Sequence, residues 1–449
     1  MKMKLFETLQ LKFEQPDWSK NPEFGLLDAV LEMHPELLKI VVEDIMDGVS
    51  PSIFGRKDTP SVEQIFRAAL YKEMKQLDYR ELEYHQSDSR ICAQFLKIDE
   101  LRPYCFQMYQ KYISKIKKTT LEAVMLSLNK LAINEGIEDL EKIRQDSTVV
   151  ETNVHYPTNN SLVWDCIRES HRLFMHLQKE MADLNYRDYT KTAKKTYFKI
   201  NNTKTGDKRI DLFKQQLITF TKCINQVSNV IKKKSRCNVK TLVILIELEK
   251  HLPVMQQVYA MTEKREIKNE VVANDEKLFS IYEQHTDIIV KGSREVQFGH
   301  KINLSTGKSN LILSCEVLRG NPSDKDLFQP TLEKVIGDYG IIPRDSATDG
   351  GYATKLNAAY AQAKGITNIV FNKVVGSLRN IVSSLNMETR LKKWRSGIEA
   401  NISNLKRGFD IARCNWKGFE HFCSKVMWSV IAYNTRVMAA AMLQRMKSC

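Results

Sequence analysis

Three acidic residues, far apart along the chain, occur in contexts suited to holding metal ions beside a phosphodiester. Glu399 lies on a predicted helix with Arg395 four residues before it and Lys406 seven residues after it, so all three share one helical face. Asp146 and Asp349 occur where short apolar or β-branched runs meet turn residues, which predicts carboxylates at strand ends. Three carboxylates with flanking cations are suited to metal-assisted phosphodiester chemistry.

The order Asp, Asp, Glu resembles the catalytic triad of bacterial insertion-sequence transposases of the DDE type. One large group of these enzymes carries a third motif of Tyr, two residues, Arg, three residues, Glu, six residues and Lys. Arg395, Glu399 and Lys406 match its last three positions, and Lys392 stands at the Tyr position. Residues 61–98 are similar to the helical N-terminal domain of many such enzymes.

The segments around the two aspartates carry the rest of the resemblance. Residues 146–160 are similar to the first-acid region of the family, and Asp349-Gly-Gly-Tyr352 with the strand predicted at 366–371 is similar to the second. Two neighbouring acids are rivals: Asp165, which falls on a predicted helix, and Asp345. The glycines after Asp349 favour it over Asp345, because glycine permits close backbone approach.

The resemblance implies an α/β RNase-H-like catalytic domain, with a mixed sheet flanked by helices, and an all-α N-terminal domain. We expect the helical domain at residues 1–135, as a DNA-end recognition element, and the catalytic domain at 136–449. It also implies metal-dependent strand cleavage at insertion-sequence ends and transfer of the 3′-hydroxyl into target DNA. The implied partners are terminal inverted repeats, target DNA and a second copy of the chain in a homodimer.

Site roles follow from the same resemblance. Two Mg²⁺ ions, or Mn²⁺, are expected, with Asp146 bridging both, Asp349 on one and Glu399 on the other. The cations expected to contact DNA phosphates are Arg395, Lys406, Lys392 and Arg407. Two alternatives stay open: a metal-dependent nuclease of the same fold without strand transfer, and a non-enzymatic DNA-binding protein derived from a transposase.

A long helical insertion is predicted after the first strand, at about residues 162–275. Apolar residues step by three and four over Val163–Leu184 and Ile210–Ile231, and a third helix is predicted over Leu242–Met261. The pattern predicts a helical hairpin with coiled-coil-like packing. Its function is either to hold DNA or a partner protomer, or to act as a structural brace with a solvated basic face.

The other predicted elements follow the RNase-H-like order. The predicted strands are the one carrying Asp146, Leu278–Tyr282, Glu295–Ile302, Leu311–Val317, the one ending at Asp349, and 366–371. The predicted helices are Leu26–Met46, two or three over 61–98, Leu327–Tyr339, Tyr352–Lys364, and one that carries Arg395, Glu399 and Lys406 together.

The charge of the chain is uneven. The net charge is +14, and residues 187–240 hold 15 Lys and Arg against 3 Asp and Glu, while residues 391–449 hold 11 against 3. Two concentrated basic stretches indicate nucleic acid as a partner, with solvated basic faces as the alternative.

Several classes of protein are disfavoured by what the sequence lacks. The nine cysteines show no Cys-x-x-Cys spacing, which fits a reducing cytosol rather than a disulfide frame or zinc site. No uninterrupted apolar run of about 18 residues is present, which argues against a membrane span. No phosphate loop is present, so no nucleotide cofactor is expected. We therefore expect a cytoplasmic protein, and the family resemblance implies that it is bacterial.

Overall fold

A computed structural model describes residues 18–48, 58–99, 102–232, 238–274, 276–291, 295–372 and 378–448. The chain divides into two compact units, one formed by residues 1–153 with 287–449 and the other by 154–286. The predicted fold class is confirmed: a mixed sheet is flanked by helices and preceded by an all-helical region. The predicted domain boundary at residue 135 and the insertion limits at 162 and 275 stay predictions.

The first unit begins with a series of helices. They are α1 (Pro22–Met33), α2 (Glu36–Met46), α3 (Val62–Lys75), α4 (Tyr79–Asp88), α5 (Arg90–Leu96), α6 (Phe106–Ile113) and α7 (Lys118–Asn134). The three helices over 61–98 are confirmed. The single helix predicted over Leu26–Met46 is wrong, because Pro35 separates α1 from α2. Proline lacks an N–H and disfavours helical backbone in the residue before it.

The sheet of this unit combines antiparallel and parallel pairing. Its strands are β1 (Lys142–Thr152), β2 (Asp287–Lys291), β3 (Glu295–Thr306), β4 (Ile312–Val317), β5 (Asp345–Thr348), β6 (Asn368–Phe371) and β7 (Arg413–Cys414). β3 runs antiparallel to β1 on one side and to β2 and β4 on the other, while β5 is parallel to β1 and β6 is parallel to β5. The short strand β7 pairs in parallel with the last residues of β1.

One predicted strand is wrong. Residues Leu278–Tyr282 form no strand, and β2, which was not predicted, begins later at Asp287. Leu278 and Ile281 instead pack into the apolar core of the helical unit. An apolar run indicates burial, but it does not identify the core in which the run is buried.

The remaining helices of the first unit cover the sheet. They are α12 (Asp324–Tyr339), α13 (Lys355–Ala363), α14 (Leu385–Arg395), α15 (Gly397–Gly408) and α16 (Phe419–Ser448). One core joins Trp428 of α16 to the N-terminal helices and to Val150 and Ile302 on the sheet. A second core, around Phe328 and Phe371, lies between the sheet and α12 and α13.

Within the described residues, α16 has one stretch, Phe419–Lys447, long and apolar enough to cross a membrane by length and composition alone. Most of its apolar window, 67%, is buried inside the protein. It contacts α1, α3 and α7, so α16 is a core helix of this unit.

The second unit is helical. It contains α8 (Asn159–Glu180), α9 (Thr190–Asn201), α10 (Asp207–Ile231) and α11 (Val239–Thr262), followed by a π-helical turn at Glu263–Ile267. The predicted helices correspond to α8, α10 and α11, although α8 ends at Glu180 rather than at Leu184. The predicted hairpin is wrong, because α9 is inserted between the first two helices and packs against both. Phe213, Leu217 and Phe220 on the predicted seam of α10 are buried.

Candidate active site

The parallel pairing of β1 with β5 brings the first two acids side by side. Gln145 on β1 is paired with Thr348 on β5. The next residue on each strand, Asp146 on β1 and Asp349 just beyond β5, therefore lies at the same level of the sheet, and neighbouring strands are about 4.8 Å apart. The placement of both carboxylates at one edge is a consequence of strand register.

The guanidinium of Arg395 contacts all three predicted acids. Its Nη2 lies 2.7 Å from Oδ2 of Asp146 and 4.0 Å from Oδ2 of Asp349, and its Nη1 lies 2.9 Å from Oε1 of Glu399. Since the two aspartate oxygens lie at these distances from one nitrogen, they cannot be further apart than the two distances combined. The Arg395 side chain is only 6% exposed, whereas that of Glu399 is 66% exposed. The fold thus brings the three acids around one cation.

The single helix predicted to carry Arg395 and Glu399 is wrong, because the chain breaks between them. Arg395 ends α14, and Glu399 lies in the first turn of α15. The carbonyl of Trp394, which would accept the N–H four residues later in a continuous helix, accepts instead from Nη1 of Arg144. A Cβ on Gly397 would lie 2.4 Å from that same Nη1, so only glycine permits this approach.

Arg144 is a structural residue of the site that the sequence analysis missed. It is 2% exposed, its Nε donates to Oγ1 of Thr306 at 2.9 Å, and its Nη2 donates to Oδ1 of Asn310. Its guanidinium also lies 4.7 Å from the ring centroid of Trp394. Burial lowers the pKa of Arg144 to about 10, so it stays charged at neutral pH. The sequence feature that could have identified Arg144 is its position two residues before Asp146, which places both side chains on the same face of the strand.

The loop that carries Asp349 is fixed by buried polar contacts. Oη of Tyr352 donates to Oδ1 of Asn303 at 2.9 Å, and burial raises the pKa of Tyr352 well above its ordinary value, so the phenol stays a neutral donor. A Cβ on Gly351 would lie 3.0 Å from Oδ2 of Asp324 at the start of α12. Gly351 and Tyr352 after Asp349 therefore serve close packing of this loop.

The two rival acids have other partners. Asp345, at the start of β5, is 1% exposed, accepts two hydrogen bonds from Arg344 at 3.0 and 2.8 Å, and accepts a third from Asn368 on β6. Asp165 belongs to the helical unit, where its carboxylate pairs with Arg168 at 3.0 Å. Asp345 thus links two strands, and Asp165 is held on α8.

The predicted DNA-contacting cations lie on α14 and α15. Lys392 pairs with Glu388 at 2.7 Å, one turn before it on α14. Lys406 is half-buried and Arg407 is exposed, both in the last turn of α15. Their contacts with DNA phosphates, and that of Arg395, stay predictions.

The three acids have the donor chemistry of a divalent-cation site, but in this arrangement they do not have its spacing. Across the described residues, no three His, Cys, Asp or Glu side chains lie close enough together to hold a metal ion. The three acids are nevertheless hard oxygen donors of the kind that Mg²⁺ prefers. The Arg395 guanidinium lies among them as a cation, and its buried Nε has no acceptor among the described residues. Because a guanidinium ion cannot ligate a metal, the two cations are alternative occupants.

Comparison with known proteins gives a match for part of the chain. Residues 267–435 match the family model described as the transposase DDE domain. The matched segment includes Asp349, Arg395, Glu399 and Lys406, while Asp146 lies before it. No curated protein and no solved structure matches the chain. The resemblance to DDE transposases is confirmed, and the roles of the three acids stay predictions.

Proposed function

We propose that this chain, which carries a transposase DDE domain at residues 267–435, cleaves DNA at insertion-sequence ends and joins the freed 3′-hydroxyl to target DNA. The domain makes it a DNA-acting enzyme of phosphodiester cleavage or transfer. The convergence of Asp146, Asp349 and Glu399 on the Arg395 guanidinium supports the finer assignment. The partners of this proposal are terminal inverted repeats, target DNA and a second protomer that holds the other end, in the bacterial cytoplasm.

The three acids would hold the catalytic metal. Asp146 and Asp349 offer carboxylates from adjoining strand ends, and Glu399 offers a third from α15. When bound there, two Mg²⁺ or Mn²⁺ ions would supply activation of a nucleophile and neutralisation of charge on the phosphate and the leaving oxygen. The high exposure of Glu399 leaves its carboxylate accessible from solvent.

The cations of α14 and α15 would orient the DNA. A guanidinium fork binds a carboxylate or a phosphate in the same bidentate manner, so Arg395 can exchange its acids for a phosphate. Lys392, Lys406 and Arg407 would contact neighbouring phosphates as point charges. Arg144 does not reach substrate in this proposal; it holds the break between α14 and α15 that sets the approach of Glu399.

The proposal is tested by Asp146→Asn, Asp349→Asn and Glu399→Gln in the full-length chain. Each should abolish Mg²⁺-dependent cleavage of DNA that carries the element's ends, while DNA binding is largely retained. The matched control is Asp326→Asn, an exposed residue on α12 that undergoes the same change of charge. Wild-type-like cleavage by any triad variant would remove that residue from the site.

A second measurement separates transposition from plain hydrolysis. A labelled 3′ end that is joined covalently to target DNA supports strand transfer. Metal-dependent cleavage without any joined product supports the nuclease alternative. DNA binding without cleavage in either Mg²⁺ or Mn²⁺ supports a non-enzymatic descendant.

A further inference from the structure

The helical unit at 154–286 carries a groove between α9 and α10 with an exposed aromatic ring among lysines. Lys195 and Lys199 on α9 and Lys208 on α10 line it, together with Phe198 and Asn202, and its volume is about 660 Å³. Phe198 is 51% exposed. None of the described residues that line the groove is acidic. The groove thus offers three ammonium groups and one flat apolar face to the same ligand.

The shape of the groove is fixed by hydrogen bonds beneath it. Nη1 of Arg209 donates to the carbonyls of Ile200 at 3.2 Å and Thr203 at 2.9 Å, which holds the turn that joins α9 to α10. Nδ2 of Asn160 on α8 donates to the carbonyl of Tyr197 at 3.0 Å and so fixes α9 from below. The lysine-bearing surface is therefore preorganised, which lowers the entropic cost of binding.

The positive charge of the groove is not neutralised by ion pairs with the described residues. Among the ion pairs of the described residues, none involves Lys195, Lys199 or Lys208, although Lys214 further along α10 pairs with Asp211 at 3.3 Å. α9 carries four lysines and no acid. A ligand with regularly spaced negative charges complements this arrangement, and a nucleic acid backbone has that property.

From these contacts we infer that the groove binds DNA, with the three lysines on successive phosphates and Phe198 stacked on an unpaired base. The inference rests on the proposed function for the identity of the nucleic acid. It adds a DNA-binding site on α9 and α10, outside the matched domain and its acids. Lysine–phosphate contacts supply affinity that depends on salt, whereas aromatic stacking on a base is sequence-tolerant and requires an unstacked base.

The test compares two variants of the full-length protein by fluorescence anisotropy. The DNA probes are a labelled duplex and the same duplex with a short single-stranded gap. In Lys195→Ala/Lys199→Ala/Lys208→Ala we expect at least a tenfold loss of DNA affinity. The slope of log affinity against log salt should become shallower by about 2 to 3, because each lost phosphate contact reduces it by about 0.9. In Phe198→Ala we expect roughly a fivefold or larger loss on gapped DNA, no comparable loss on intact duplex, and an unchanged salt slope.

The control is Lys179→Ala/Lys250→Ala/Lys277→Ala, which removes the same charge from the same unit outside the groove. It should bind both probes within about twofold of wild type, because diffuse charge contributes little at physiological salt. Equal DNA affinity and equal salt dependence in the two triple variants would refute the groove as a DNA-binding site. Equal losses for Phe198→Ala on both probes would overturn the stacking contact.

The outcomes also separate this site from the proposed function. Suppose that the wild-type protein cleaves DNA, but the triple lysine variant of the groove binds DNA as well as the control triple variant does. This result would refute the DNA-binding groove and leave the proposed function intact. Wild-type protein that binds neither probe refutes both. Thermal unfolding of each variant verifies that these surface changes leave the fold intact.

Discussion

Removal of Arg395 should strengthen the binding of divalent metal to the protein in the absence of DNA. Its guanidinium lies among Asp146, Asp349 and Glu399, the same carboxylates that we propose as metal ligands. A metal ion can enter only when these pairs break, so the cost of breaking them is subtracted from the binding free energy. In Arg395→Ala that cost disappears.

The size of the effect follows from the exposure of each pair. The hydrogen bond from Arg395 to Asp146 joins side chains that are 6% and 17% exposed. A bond to a charged partner in such a setting contributes about 1.5–3 kcal/mol. The pair with Glu399, which is 66% exposed, adds no more than about 0.5 kcal/mol. Release of both costs about 1.5–3.5 kcal/mol, and since 1.4 kcal/mol is tenfold, metal affinity should rise about 10- to 300-fold.

The assay is isothermal titration of Mn²⁺ into metal-free, full-length protein without DNA. Lys392→Ala is the matched control, because it removes one positive charge from the same helix but from a pair with Glu388. Its Mn²⁺ affinity should change by less than about twofold, as expected for an exposed pair. Equal Mn²⁺ affinities for Arg395→Ala and wild type would refute the competition between guanidinium and metal.

Two further predictions concern stability. Gly397→Ala should lower the unfolding free energy by about 1–3 kcal/mol in urea, because its Cβ would displace Arg144, whereas Gly408→Ala on the same helix, with open space around it, should be neutral or stabilising. Equal effects would contradict the proposed contact. Burial raises the pKa of Glu73, but two ammonium groups, chiefly that of Lys425, outweigh it and lower the pKa below the ordinary value. The folded state therefore binds this proton less readily than the unfolded state, so its stabilisation is present above about pH 4.5 and is lost on acidification through the lowered pKa. Glu73→Gln should lower the free energy of unfolding at pH 7 by about 3–5 kcal/mol. In thermal unfolding at several pH values, it should also reduce the loss of stability on acidification. If the variant loses as much stability on acidification as the wild type, Glu73 is not the source of that loss.

The acids that meet around Arg395 could be picked out from the sequence because their local contexts are short-range. Arg395 and Glu399 are four residues apart, and Asp349 is followed by two glycines and a tyrosine. Although the helix is broken between them, the side chains of Arg395 and Glu399 still form the ion pair that a spacing of four predicts, at 2.9 Å. The adjacency of Asp146 to Asp349, in contrast, depends on the parallel register of β1 and β5, which no local pattern encodes.

The features that escaped prediction depend on partners distant in the chain. The break between α14 and α15 requires Arg144, which is 250 positions from Trp394, the residue whose carbonyl it occupies. α9 buries only Ala193 and Ile200, so its apolar periodicity is too weak to indicate a helix. Leu278–Tyr282 has strand-like composition but supplies side chains to a helical core.

The charge of the site would allow Arg395 to serve both of the roles that we propose for it. Asp146, Asp349 and Glu399 around Arg395 carry a formal net charge of −2, and without Arg395 the cluster would carry −3. Like charges at such separations repel by several kcal/mol at an effective dielectric constant of about 20. A guanidinium among the carboxylates therefore keeps the cluster compact before metal and DNA arrive. In the proposed function, the same carboxylates would ligate a bound metal ion, and the Arg395 guanidinium would then be available to a DNA phosphate.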